Sequence, residues 1–214
     1  MPKETFYNLK QDKRERILRS AVNEFRAHGF RSANIGTIAK NAEVAKGSMY
    51  QYFDDKKELF IYCLTWSLDI LINKINSRMN LDKQDMFEYY SSDVSTMIEF
   101  VKEEKELSFF TQDVFLGKFS DMPAGSIAEM MRFADDYALA LIKEEQEKGS
   151  VRSDIDAEVL KLFLLGATTK IKEYILRETE KAGFDITDDR MESFKGIIDD
   201  MVEMLKNGIG NKAV

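Results

Sequence analysis

Residues 34–60 read NIGTIAKNAEVAKGSMYQYFDDKKELF, and this stretch decides the fold. Ile35, Ile38 and Ala39 fall on one face of a short helix that Asn34 can cap. A second short helix starts near Ala45 or Lys46, with Met49 and Phe53, four residues apart, as its buried face. Ala39 is small enough for the second helix to cross closely and steeply, Glu43 lies in the turn, and Val44 plugs the corner. The opposite face then displays Lys46, Ser48, Tyr50, Gln51 and Tyr52. At the N-terminus of that helix, Lys46, Gly47 and Ser48 can approach a phosphate or a base edge. Gly47 has no side chain to hold the backbone away. Two crossed short helices of this kind form a helix-turn-helix.

Upstream, Asp12 reads as the N-cap of a helix running to about His28. Its apolar positions are Ile17/Leu18, Ala21/Val22 and Phe25; Gly29 ends it and Phe30 folds back on the last turn. Downstream, Asp54 or Asp55 caps a long helix through Phe60, Leu64, Leu68, Leu71/Ile72 and Ile75, fading near Met79. No linker rich in Gly, Ser or Pro interrupts it, which predicts a stiff connection to the rest of the chain. An amphipathic stretch over 83–104 and a phenylalanine-rich helix over 107–119 come next, then a break at 121–125. Helices are expected over 126–148, from Asp154 or Asp156 to about Ala182, and over 188–206, with Gly149, Gly183 and Gly208 as stops. With only two prolines in 214 residues, little interrupts helix formation. The reading is all-α with about nine helices: a three-helix helix-turn-helix domain over 1–54 and a larger helical domain over 55–214.

Charge is divided unevenly along the chain. Residues 1–60 carry 12 Lys/Arg against 8 Asp/Glu, a net of +4, and the remaining 154 carry 19 against 30, a net of −11. A basic segment on an acidic body suits local phosphate contact without general stickiness. The single cysteine, Cys63, excludes an internal disulfide framework. The opening Met1-Pro2-Lys3-Glu4 has no apolar leader pattern, and no run approaches the ~18 apolar residues of a membrane span. These features predict a soluble, cytoplasmic protein with no membrane partner.

Little in the chain suits catalysis. The one histidine, His28, and Cys63 sit in separate segments with no orienting partner, no His/Cys cluster has zinc spacing, and no glycine-rich phosphate loop occurs. Asp54-Asp55, Asp135-Asp136, Asp188-Asp189 and Asp199-Asp200 pair adjacent acids, which diverge by about 100° on a helix and do not share a metal or proton. The expectation is no enzyme, no metal and no cofactor.

The pattern IAxxAxVxKGxxYxxFxxKxxL resembles the TetR/AcrR family of bacterial transcriptional regulators. It is carried by Ile38, Ala39, Ala42, Val44, Lys46, Gly47, Tyr50, Phe53, Lys56 and Leu59. Glu43 departs from the family's usual turn glycine; in a left-handed conformation it costs about 1 kcal/mol. Tyr52 stands where the family often has histidine. The resemblance implies that Lys46, Gly47, Ser48, Tyr50, Gln51 and Tyr52 form the recognition helix. Tyr50, Tyr52, Lys56 and Thr37 would hold phosphates. Gln51 and Lys46 would meet bases, since Gln suits adenine and Lys guanine in the major groove.

A dimer on a palindromic double-stranded operator is implied as well, with recognition helices about 34–36 Å apart or a multiple. Wide apolar coverage on the last two helices fits a four-helix homodimer interface. Leu160, Phe163, Leu164, Ala167, Ile171, Tyr174 and Ile175 contribute to it, with Met191, Phe194, Ile198, Met201 and Leu205. The resemblance further implies repression relieved by a small, apolar effector. Its lining would come from Trp66, Phe87, Tyr89, Tyr90, Met97, Phe100, Phe109, Phe110, Phe115, Phe119, Met122, Met130, Met131, Phe133 and Tyr137. The rival reading is a helical interaction module whose basic end binds a protein or an anionic surface.

Overall fold

A computed structural model describes residues 1–78, 87, 103–119, 121–185 and 188–209. Among these residues the chain forms nine α-helices, one 3-10 turn and no strand. The helices are α1 (Glu4–Tyr7), α2 (Gln11–Ser32), α3 (Ile35–Asn41), α4 (Lys46–Tyr52), α5 (Lys56–Arg78), α6 (Lys105–Phe115), α7 (Ser126–Lys148), α8 (Ala157–Ala182) and α9 (Lys195–Ile209). The chain divides into two compact units, residues 1–72 with 104–131 and residues 73–103 with 132–214. The amphipathic stretch expected over 83–104 lies outside the described residues apart from Phe87, Glu103 and Glu104.

In the first unit α2 buries Ile17, Leu18, Ala21, Val22 and Phe25, the stripe read from the sequence. Its start differs from expectation. Lys10 is the N-cap and makes no side-chain bond, while Asp12 sits in the first turn, where its charge favours the positive helix end. Gly29 breaks the helical path at φ 72°, and Ala33 N–H returns to its carbonyl. Phe60, at the start of α5, is fully buried among four rings: Phe25 at 4.9 Å, Phe110 at 5.3 Å, Phe30 at 5.6 Å and Phe119 at 6.1 Å. Edge-on packing prevails in this set, the arrangement aromatic quadrupoles favour. Helix α6 adds Leu107, Phe110 and Val114 to the same core and is tied to α2 by Arg19–Glu104 at 2.9 Å and Arg26–Asp113 at 3.7 Å. The compact unit holding the helix-turn-helix therefore extends well past residue 54. Phe110 and Phe119, two candidate effector contacts, are core residues of this unit.

The second unit packs the later turns of α7 with α8 and α9 around Ile142, Val151, Leu160, Leu164, Met201, Val202 and Leu205, with Phe87 among them. Asp156 caps α8 by accepting from Glu158 N–H at 2.8 Å. Gly183 closes the helix in the left-handed conformation. The last predicted helix is split: Asp188 caps a 3-10 turn, Asp189–Phe194, before α9 begins. Here the expected interface stripe needs correction. Leu160, Leu164, Ile175, Met201 and Leu205 are buried within this chain, whereas Val159, Leu162, Phe163, Tyr174 and Met204 are exposed. Apolar coverage on α8 is wide enough to serve two faces at once.

The turn between α3 and α4 is a Schellman closure. Val44 N–H reaches the Ala39 carbonyl at 2.9 Å and Glu43 N–H the Lys40 carbonyl at 3.1 Å. Glu43 occupies the left-handed position at φ 56°, the sole non-glycine residue of positive φ among the described residues. Left-handed backbone costs an L-residue about 1–2 kcal/mol, while glycine adds about 0.5–1 kcal/mol of unfolded-chain freedom. Glu43→Gly should therefore raise stability by up to about 1 kcal/mol in denaturant titration. Its exposed pairing with Arg16, at 3.4 Å, offsets little of this.

Candidate nucleic-acid interface

Four side chains hold the helix-turn-helix in place. Asn34 caps α3 through its side chain, accepting from Gly36 N–H at 2.7 Å, as its position before the apolar run suggests. Glu24, on the buried side of α2, accepts from Asn34 N–H at 2.9 Å, and Ser20 Oγ donates to the Ile38 carbonyl at 2.9 Å. Asp121 accepts from Arg31 N–H at 2.5 Å and lies against Gly29, where an added Cβ would come 3.3 Å from its Oδ1. Neither Glu24 nor Asp121 is marked by local pattern. The one clue to Glu24 is an acid set among the buried positions 21, 22 and 25.

On the outward side, Thr37, Lys46, Gly47, Tyr50 and Gln51 are exposed and Ser48 is half-buried. Lys46 and Tyr50 line one open groove with Asn34, Asp54, Asp55 and Lys56. The Lys46 stem packs near Gly36, 3.7 Å from where a Cβ would stand. Met49 and Phe53 are buried beneath, as expected. Tyr50 is 51% exposed and keeps its hydroxyl available to a phosphate.

Two candidates are placed otherwise. Tyr52 is only 6% exposed, packed 6.0 Å from the Phe6 ring, so it is a core residue and not part of the displayed face. A helix turns about 100° per residue, which carries position 52 away from 50 and 51. Lys56 donates to the carbonyls of Arg31 at 2.8 Å and Ala33 at 3.0 Å, over the Phe30 ring. Its ammonium braces the end of α2 and keeps one of three protons for another acceptor.

Burial pushes Tyr62 up to about 12 and raises the Cys63 thiol as well, so neither ionises near neutrality. Among the described residues no group of three or more His, Cys, Asp or Glu is placed to hold a metal, and no helix is long and apolar enough to cross a membrane.

Residues 17–63 match the model of the bacterial regulatory proteins of the tetR family, the span from α2 into α5. The helix-turn-helix segment is thus that of the TetR family of bacterial regulatory proteins. It is 26% identical over 172 residues to the HTH-type transcriptional regulator YdgC of Bacillus subtilis, covering 77% of this chain and 82% of that one. It is 23% identical over 140 residues to IcaR of Staphylococcus aureus, the negative transcriptional regulator of the biofilm operon icaADBC, covering 62% and 75%. The fold resembles that of the fatty acid degradation regulator FadR from Bacillus halodurans, with a TM-score of 0.63 at 22% identity, over 91% of this chain and 96% of that one.

Gly47 supplies a direct test of the displayed face. A Cβ there would meet nothing within 4 Å, so nothing inside this chain demands glycine. Alanine in a helix is favoured over glycine by about 1 kcal/mol. Gly47→Ala should therefore keep or raise the melting temperature, and the expected close approach of this backbone to a duplex would be checked by weaker binding in an anisotropy titration.

Proposed function

We propose that this protein is a cytoplasmic, ligand-responsive repressor that binds a palindromic operator as a homodimer and leaves it when a small apolar effector binds. The open face of the helix-turn-helix carries the proposal: Lys46, Tyr50 and Gln51 stand exposed over the buried Met49 and Phe53. Residues 1–54 would read DNA, and residues 55–214 would hold the dimer and the effector. Gln51 and Lys46 take base edges, while Tyr50, Thr37, Ser48, the Gly47 backbone and the last proton of Lys56 take phosphates. Tyr52 acts from beneath, as support.

Dimerisation is argued from exposed apolar surface on the terminal helices. Leu162 and Met204 are each 68% exposed and Phe163 is 55% exposed. With Val159, Gly166 and Tyr174, the α8 residues follow helical spacing along one side of α8. Surface of this kind favours a second copy, and two-fold symmetry matches a palindrome.

Repression is supported by relatives named for it, including IcaR and SmeT, the repressor of the Stenotrophomonas maltophilia efflux pump SmeDEF. An apolar effector is supported by the neighbouring Bacillus subtilis FadR, determined in complex with stearoyl-CoA. Of the candidate lining, Tyr89, Tyr90, Met97, Phe100 and the side chains of Met130 and Phe133 lie outside the described residues. Release on effector binding is a shift between two dimer spacings, one of which fits the operator.

Selection of bound duplexes from a random pool should return a palindrome. Lys46→Ala with Tyr50→Ala should abolish that binding in competitor DNA while the protein remains dimeric. Equal affinity for every duplex would instead favour a merely basic surface. Phe163→Asp should yield monomers in sedimentation and cost operator binding at least about tenfold, with the helical content unchanged. A variant that stays dimeric would remove α8 from the interface.

A further inference from the structure

Helix α4 has seven residues, too few to hold itself in water. Its last four carbonyls, those of residues 49–52, have no partner within the helix. All four nevertheless receive a donor. Phe53 N–H takes the Met49 carbonyl at 2.9 Å. The other three are taken by a segment more than forty residues upstream: Lys3 Nζ donates to the Tyr50 carbonyl at 3.0 Å, Thr5 Oγ1 to the Gln51 carbonyl, and Lys3 N–H to the Tyr52 carbonyl at 2.9 Å.

The donor segment is itself fixed. Phe6, on α1, is 1% exposed and packs 4.9 Å from Phe53 and 5.7 Å from Tyr62. Lys3 Nζ also meets Asp54 at 2.7 Å, and this contact holds the Asp54 carboxyl below the usual carboxylate range. The Lys3 cation thus stands at the negative end of the α4 dipole, already neutralised by Asp54.

We propose that residues 3–6 clamp the recognition helix, with Lys3 and Thr5 as positioning residues for operator reading through the carbonyls of Tyr50, Gln51 and Tyr52. The inference rests on α4 being the helix that reads DNA. Without the clamp, the turn carrying Tyr50 and Gln51 frays, and the two outermost side chains of the displayed face lose their fixed direction. Lys3 works through hydrogen bonds to the protein and not through a phosphate, because its charge is already paired with Asp54.

The test uses the full chain. Thr5→Val removes the hydroxyl at constant shape. Lys3→Met is combined with Asp54→Asn so that local charge is kept. The triple variant should bind the selected operator about tenfold more weakly than wild type, equivalent to about 1.4 kcal/mol. Non-specific duplex binding should change less than about twofold, and the salt slope should be unchanged, since no phosphate contact is lost. In the DNA-free protein, the backbone amides of residues 50–53 should exchange at least about tenfold faster while those of α2 keep their protection, which also shows that the variant is folded. Thr5→Ser, which restores a hydroxyl, should behave as wild type.

Unchanged exchange at residues 50–53 would overturn the clamp. Faster exchange with undiminished operator affinity would overturn its role in reading. A salt slope lowered by about one, with exchange unchanged, would make Lys3 a phosphate contact. If wild type selects no sequence from a random pool, the DNA reading fails, and the exchange measurement still decides the clamp.

Discussion

Phe60 is the residue on which the first unit depends. It lies just past the capped start of α5, where Asp55 accepts from Glu58 N–H at 2.7 Å and Glu58 in turn accepts from Asp54 N–H at 2.7 Å. That cap fixes where α5 begins and so drives the ring between Phe25 and Phe30 of α2 on one side and Phe110 and Phe119 on the other. A buried ring of this size contributes a few kcal/mol, and its neighbours would collapse only partly around its absence. The helix-turn-helix and α6 share this one core. A displacement of α6 cannot leave α2 untouched, because close-packed rings do not deform by small amounts.

Polar anchors add to the same coupling. Asp121 meets the backbone just past Gly29, and Lys56 caps the carbonyls of Arg31 and Ala33 two and four residues further on. Glu24 holds the N-terminus of α3, and the segment bearing Lys3 and Thr5 holds the C-terminus of α4. Helices of seven residues are stable here because their free ends are satisfied by other parts of the chain. The displayed face is thus positioned by residues that do not belong to it. This gives a regulator several points at which a change elsewhere in the unit can alter how the face is presented.

Legibility in the sequence tracks physical range. The α2 stripe, the Asn34 cap, the glycine break, the Met49–Phe53 underside and the 126–148 helix all arise from spacing within a few turns, and each is readable. Residue type alone puts Tyr52 on display, while helix rotation and the distant Phe6 decide its burial. A lysine's charge is evident in sequence and suggests a phosphate ligand at Lys56, whereas the two carbonyls it caps come from 23 and 25 residues away. On α8, periodicity yields a broad apolar band. Which part of it faces Met201 and Leu205, and which part faces outward at Leu162 and Phe163, depends on where α9 packs.

The sequence by itself determined the helical class, the crossing pair at 35–53, the identity of the displayed Lys46, Tyr50 and Gln51, and the turn at Glu43. These are consequences of local backbone preference and of a 3.6-residue period, which any stretch of chain expresses on its own. Only the tertiary structure decided how the short helices are held: by Glu24, Asp121, Lys56, Lys3 and Thr5, reaching across 10 to 90 residues of chain. A hydrogen bond to a free carbonyl leaves no periodic trace, so it becomes visible when the fold brings donor and acceptor within about 3 Å.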